Sequence, residues 1–412
     1  MKWKTVPATT LTVNTTLAGA TGSPNSDARQ KFWVATIGHF VTDFYNGFLA
    51  PLLPIIVIRL NLTLTLAGLL LSIFSISNSL LQPLAGAFSD RMRRNYFLIF
   101  GPIITALFLG FIGWVNQYWT LVLILVGSGF GTAAFHPQSA ALVGGLTYRS
   151  KGFTMSVYNM AGALGVAVGS VVIIPLTNSL GLKASVLTIL PALLLFLYSA
   201  SFFSRTASVA KEQRKKTNLA AAVKSNWYTI TLLHSLVVFR AILILSFSGF
   251  MPLYMTSKGE TPFFGGLTLA VFQFFATAGI LAGGRLYDRF GARKTLFLSF
   301  IFILPLGIAC LHVPAIWSLP ILGLMGFLLT FATSVNILLG QQIMPENAGF
   351  ISALMMGSAW GLAGLLMTPV GALADRWGLQ TTLSAISVVA LFGVLMVAII
   401  PFHRFKSAPV TQ

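Results

Sequence analysis

His39 and Asp43 stand four residues apart in GHFVTDFYNGF, inside an apolar run from 31 to 58. On a helix that spacing sets imidazole and carboxylate on one face. Such a pair can exchange protons in the physiological range, because an imidazole titrates near neutrality. A second imidazole, His136, lies in GFGTAAFHPQSAALVGG beside Pro137 and Gln138. Proline lacks an N–H, so the carbonyl four residues back, that of Ala133, is left for a ligand or water. Each histidine has two readings: a proton carrier, or a neutral hydrogen-bonded packing residue. Arg240, in LVVFRAILILS, is a base within a span. Its guanidinium stays charged and needs a counter-charge. That could be Asp43, an anionic substrate, or each in alternation, which would couple protons to cargo. The plainer reading is a permanent Arg–Asp pair.

Eight acids occur in all. Asp27, Glu212, Glu260 and Glu346 fall in a tail or loops, and Asp90, Asp288 and Asp375 in helix-end motifs, which leaves Asp43 deep in a span. An ionised group at the centre of a membrane helix costs about 2.5–3.5 kcal/mol, so it normally faces a cavity and has a function. Along a helix, Asp43 lies about 18 Å from Lys31 and His136 about 20 Å from Arg149, at about 1.5 Å per residue. The two sites share a depth. Asn159 and Gln341, with Gln138, are further polar candidates for holding a substrate, although polar side chains also join membrane helices.

The elements that must carry these groups follow from composition. The 412 residues are 56% hydrophobic and 8% charged. A soluble domain carries about 25% charged residues, so the chain reads as an all-α, polytopic membrane protein. Twelve apolar segments can be drawn: 31–58, 65–88, 95–115, 119–144, 152–178, 183–203, 227–256, 263–287, 294–312, 316–343, 349–373 and 379–402. They are numbered here as spans 1 to 12. Residues 1–30 read as a disordered tail and 204–226 as a basic cytoplasmic linker between two six-span halves, 31–203 and 227–403. Residues 404–412 form a second tail.

The net charge of +18 does not indicate nucleic acid, because the bases sit between apolar runs. With the N-terminus inside, 21 of the 26 Lys and Arg face the cytoplasm, four face outward and Arg240 stays in a span. That asymmetry puts both termini in the cytoplasm. The linker's bases could also meet anionic lipid headgroups. One cysteine, Cys310, excludes a disulfide framework. No nucleotide-binding glycine loop and no catalytic metal constellation stands out, and no cofactor is expected.

The halves repeat. GAFSDRMRRN follows span 2 and GRLYDRFGARK follows span 8, with Asp90 and Asp288 198 residues apart; TNSLGLK and ADRWGLQ, after spans 5 and 11, stand 197 apart. In these loops glycine permits close helix approach, the aspartate can cap helix N-termini and the arginines can pair across the halves. Gly86, Asp90, Arg91 and Arg94, with Gly284, Asp288, Arg289 and Arg293, are therefore candidates for a conformational gate.

GRLYDRFGARK resembles the loop signature of the major facilitator superfamily, although the first copy has Arg93 where a second glycine is usual. The resemblance implies two pseudo-symmetric six-helix bundles around a central cavity lined by spans 1, 4, 7 and 10, with rocking of the halves as the transport step. GHFVTDFYNGFLAPLLP, SNSLLQPLAGAFSD, GSGFGTAAFHPQSA and MPENAGFISALMMG together resemble the fosmidomycin resistance proteins, bacterial inner-membrane drug efflux carriers. Gln138 departs from the glutamate common there, and Gly169-Ser170 from the Gly-Pro that drug antiporters favour. The resemblance implies proton-coupled export of small amphipathic or anionic compounds. The same architecture could import an organic anion, and a non-transporting receptor is the reading of another class. Expected partners are a small-molecule substrate, protons and membrane lipids.

Overall fold

Three of the spans break where proline demands it. Helix Pro24–Asn46 gives way to Leu49–Arg59 four residues before Pro51, Pro262–Ile301 to Ile303–His312 before Pro305, and Ala359–Leu365 to Met367–Trp377 before Pro369. In each case the proline removes the N–H that would bond the carbonyl at the break. Pro137 is accommodated without a break inside helix Tyr118–Gly145.

The computed structural model describes residues 24–82, 85, 95–146, 151–205, 219–347, 350–351 and 354–405. These are helical with short connections, and the described residues contain no strand. Ten segments are long and apolar enough to cross a membrane. The other two expected spans are the shorter helix Leu64–Ser79 and the broken run from the π-helix Leu354–Ser358 to Trp377. Exposed leucines at 187, 190, 194 and 197 form one outward stripe on span 6, as a lipid-facing helix requires.

Two boundaries differ from expectation. The tail was expected to end at 30, yet the first helix starts at Pro24, with Asp27 in its first turn and 2.6 Å from Lys31 one turn on. An acid near a helix N-terminus and an i,i+4 pair both favour that start. The linker's last residues also belong to helix Leu219–Ser257.

The repeat is visible in the backbone. Gly181 and Gly378, 197 residues apart, share φ near +80° (82° and 79°), a conformation that favours glycine. Thr63 caps span 2 by accepting from Leu66 N, and Thr261 caps span 8 by accepting from Phe264 N, each 198 residues on. Between the halves, Gly68 lies against the Met367 carbonyl and Gly266 against that of Ser170, so close that a Cβ would sit 2.3 and 2.9 Å from those oxygens. Both seams lie toward the ends of the spans away from the termini, the distal end of the bundle.

Candidate functional site

Span 1 turns Asp43 toward spans 4 and 5. The carboxylate lies 3.2 Å from His39 Nε2 through Oδ2 and 3.2 Å from His136 Nε2 through Oδ1. Two groups adjacent in the sequence and one 93 residues away thus converge on one point. Side-chain exposure is 9% for His39, 14% for Asp43 and 24% for His136, so the cluster is largely buried.

The surroundings hold it in place. His39 Nδ1 lies 2.8 Å from the Tyr158 carbonyl, and its ring stacks on the Tyr158 ring at 4.2 Å. A carbonyl only accepts, so Nδ1 carries the proton and the neutral ring keeps its lone pair on Nε2. That lone pair faces a carboxylate oxygen. The approach is favourable when a positive species lies between them, either a proton that makes His39 an imidazolium or a cation. His136 Nε2 is buried and, at an angle outside hydrogen-bonding geometry, has no hydrogen-bond partner. Asn46 Nδ2 donates to Asp43 Oδ1 at 2.9 Å, and Thr132 Oγ1 donates to Asn46 Oδ1 at 3.4 Å. Tyr158 and Ser139 share a hydroxyl hydrogen bond behind the imidazoles. Span 5 passes with Gly162, where a Cβ would fall 2.5 Å from both Asp43 Oδ2 and His39 Nε2.

Arg240 does not join this cluster. It is 2% exposed, donates from Nη2 to Ser299 Oγ at 3.2 Å and lies 5.2 Å from the centre of the Phe300 ring. Nε and Nη1 have no hydrogen-bond partner, and no acid among the described residues is in ion-pair range. The expected Asp43–Arg240 pair is therefore not formed in this structure. The cause is direction: the guanidinium points into its own half, toward span 9.

The other candidates fall in several places. Gln138 Oε1 accepts at 2.9 Å from Leu98 N, an N–H at the start of span 3 that is shared with the Asn95 carbonyl at 3.1 Å. Asn159 and Gln341 are half-buried, in helices Lys151–Leu180 and Thr333–Ile343. Gly86, Asp90, Arg91 and Arg94 lie outside the described residues. Gly284 and Asp288 are in the helical run that ends span 8, while Arg289 and Arg293 are exposed, and Gly291 at φ 74° makes the turn into span 9.

Sequence reasoning missed three features. Asn46 was detectable, being three residues from Asp43 on the same helix face. His234 Nε2 lies 2.9 Å from Ser358 Oγ, in a π-helix that only the coordinates reveal. Asp375 accepts from Leu64 N and Thr65 N at 2.8 Å each, and from Thr65 Oγ1. It thereby clasps the N-terminus of span 2 from the opposite half. Burial opposes its charge, but the Thr65 and Leu64 bonds outweigh that and hold its carboxyl below the usual range.

Residues 35–368 match the Major Facilitator Superfamily. The chain belongs to that family. Its relatives include the fosmidomycin resistance protein of Escherichia coli (strain K12), 23% identical over 95% of this chain and 98% of that one. The uncharacterized MFS-type transporter YfnC of Bacillus subtilis (strain 168) is 26% identical over 87% and 90%. The multi-drug resistance efflux pump PmrA of Streptococcus pneumoniae serotype 4 is 25% identical over 88% and 94%. Among solved structures, an inward-facing, occupied bacterial homolog of the human lysosomal transporter Spinster superposes with a TM-score of 0.72, at 14% identity, covering 94% of this chain and 99% of that one. A mutant of the nucleoside transporter NupG gives 0.73 at 13% identity, covering 91% and 100%. Family and fold are those of an integral membrane transporter, and transporters are not enzymes.

Proposed function

We propose that the protein exports small amphipathic or anionic compounds, fosmidomycin among them, across a bacterial inner membrane in exchange for protons. Both termini lie in the cytoplasm in this reading, and the distal end faces outward. The observation that carries it is the convergence of His39, Asp43 and His136. These groups differ by one proton between a form with a cation facing the carboxylate and a form without it. Fosmidomycin resistance and multidrug efflux among the relatives support export.

In this scheme the distal seams hold the outer side closed, and the proton leaves the Asp43 cluster toward the cytoplasm as cargo enters. Cargo binding rocks the halves, the seams at Gly68 and Gly266 part, and the cluster takes a proton from outside. Arg240 has two donors, Nε and Nη1, for an anionic cargo. Engaging them requires span 7 to turn the guanidinium away from Ser299.

Proteoliposomes with an imposed pH gradient test this. Wild type should move fosmidomycin against its gradient, whereas Asp43→Asn should lose proton-driven accumulation and keep part of the gradient-free exchange. If Asp43→Asn still concentrates the drug normally, the proton assignment is wrong. A rise in drug tolerance of cells carrying the wild-type protein checks the direction, since an importer would lower it.

A further inference from the structure

We infer that His39, Asp43 and His136 form a binding site for a divalent transition-metal ion of the zinc class. The sequence leaves the three donors in two spans, and tertiary structure brings them together. One ligand atom from each lies within 4.8 Å of the other two, and both Nε2–carboxylate separations are 3.2 Å. Zinc bonds to nitrogen and oxygen of about 2.0–2.2 Å at tetrahedral angles put neighbouring donors about 3.4 Å apart. Each imidazole nitrogen is therefore already at ligand-shell spacing from one carboxylate oxygen, His39 from Oδ2 and His136 from Oδ1, and small side-chain shifts within the 4.8 Å cluster would close the set round an ion.

The supporting contacts are those a metal site needs. A ligating imidazole almost always donates its other N–H to a carbonyl or carboxylate, which fixes the tautomer and aims the lone pair. His39 does so to the Tyr158 carbonyl. Asn46 holds the carboxylate by Oδ1, leaving Oδ2 beside His39 Nε2. His136 Nε2 is a buried nitrogen with no hydrogen-bond partner, 3.2 Å from the carboxylate. Gly162 keeps span 5 from filling the space beside Oδ2 and His39 Nε2. Two imidazoles and one carboxylate select a borderline transition-metal dication over calcium or magnesium, which prefer all-oxygen shells. Three protein ligands leave a fourth position for water or for an anionic group of the cargo. The bound unit carries a net single positive charge, which suits an anion. Metal and proton claim the same lone pairs and exclude one another. The inference rests on ligand geometry and stands whether or not protons drive transport.

Calorimetric titration of the EDTA-stripped, full-length protein in detergent with Zn2+ at pH 7.5 tests it. One saturable ion per chain is expected. His136→Gln should abolish binding, and Asn46→Leu should weaken it at least about tenfold, the usual effect of removing an outer-shell partner. The double variant His312→Gln, His403→Gln, which removes two exposed imidazoles, should bind like wild type. Zn2+ should raise the melting temperature of wild type and leave that of His136→Gln unchanged, while the metal-free proteins melt alike. Co2+ should give visible absorption bands that His136→Gln removes. Absence of saturable binding, or binding that survives both His136→Gln and Asp43→Asn, overturns the site. Proton-driven flux in EDTA-treated proteoliposomes separates the two readings. Flux without zinc binding removes the metal site alone, and zinc binding without flux removes the proton scheme alone.

Discussion

Spans 1 and 7 hold corresponding places in the two halves, yet their charged residues live in opposite circumstances. Asp43 has close polar neighbours: two imidazole nitrogens at 3.2 Å, from spans 1 and 4, and the Asn46 amide that donates to it. Arg240 has a serine hydroxyl, an aromatic face and two donors without partners. The 198-residue offset that relates the caps of spans 2 and 8 pairs Arg240 with Thr42, which is fully buried and bonds the Gly38 carbonyl. It does not pair Arg240 with Asp43. One residue along a helix is a turn of about 100°. That single step separates a group facing spans 4 and 5 from one facing the interior of its own half. The acid and the base form no ion pair with one another.

The sharpest way to break this contrast is Arg240→Met. If Arg240 serves an anionic cargo, drug flux should fall about 30-fold or more, the loss of one buried charge interaction worth about 2 kcal/mol or more. The melting temperature should hold or rise, because removing a guanidinium with unpaired donors removes a desolvation cost. A variant that transports normally, or that melts far below wild type, would make Arg240 a structural group.

The distal seams give a second, smaller contrast. A Cβ on Gly68 would sit 2.3 Å from the Met367 carbonyl, whereas one on Gly266 would sit 2.9 Å from that of Ser170. Gly68→Ala should therefore disfavour the closed distal end by about 1–3 kcal/mol, the usual cost of overpacking, and Gly266→Ala by less. Spin-label distances between Asn116 and Gln380 would report the opening. Equal effects would mean that the two seams part as one.

The weakest expected effect concerns Asp375. Its clasp on Leu64 and Thr65 has no equivalent in the other seam, where Asn178, 197 residues earlier, is exposed. Asp375→Asn should loosen the closed form by about 1 kcal/mol, as removal of a helix cap does. The carboxyl is held below its ordinary value of 3.8 in the closed form, so that form binds fewer protons than the open one. The clasp is thus fully present above that value and is lost as pH falls through the lowered one. Acid on the distal side below about pH 4 should open wild type and leave Asp375→Asn unaffected, measured by the same label distances.

Several features were legible from residues alone because they depend on local spacing. His39 and Asp43 are one helical turn apart, so their shared face follows from the helix itself. Apolar runs and the loop repeat gave the helical membrane architecture, and Gly181 and Gly378 adopt one backbone conformation as the repeat implies. The partner of Gln138 was not legible, since Leu98 is 40 residues away, and a polar side chain in a span serves packing as readily as substrate.

The sequence by itself determined a membrane-embedded, twofold-repeated helical protein with one acid and one base inside apolar runs, because hydropathy and periodicity act over neighbouring residues. Tertiary structure decided which way each group points: His136 meets Asp43, Arg240 turns to Ser299, and Asp375 reaches Thr65 across 310 residues. Those choices depend on helix rotation and on which glycine lets which backbone approach, and both are set by long-range packing.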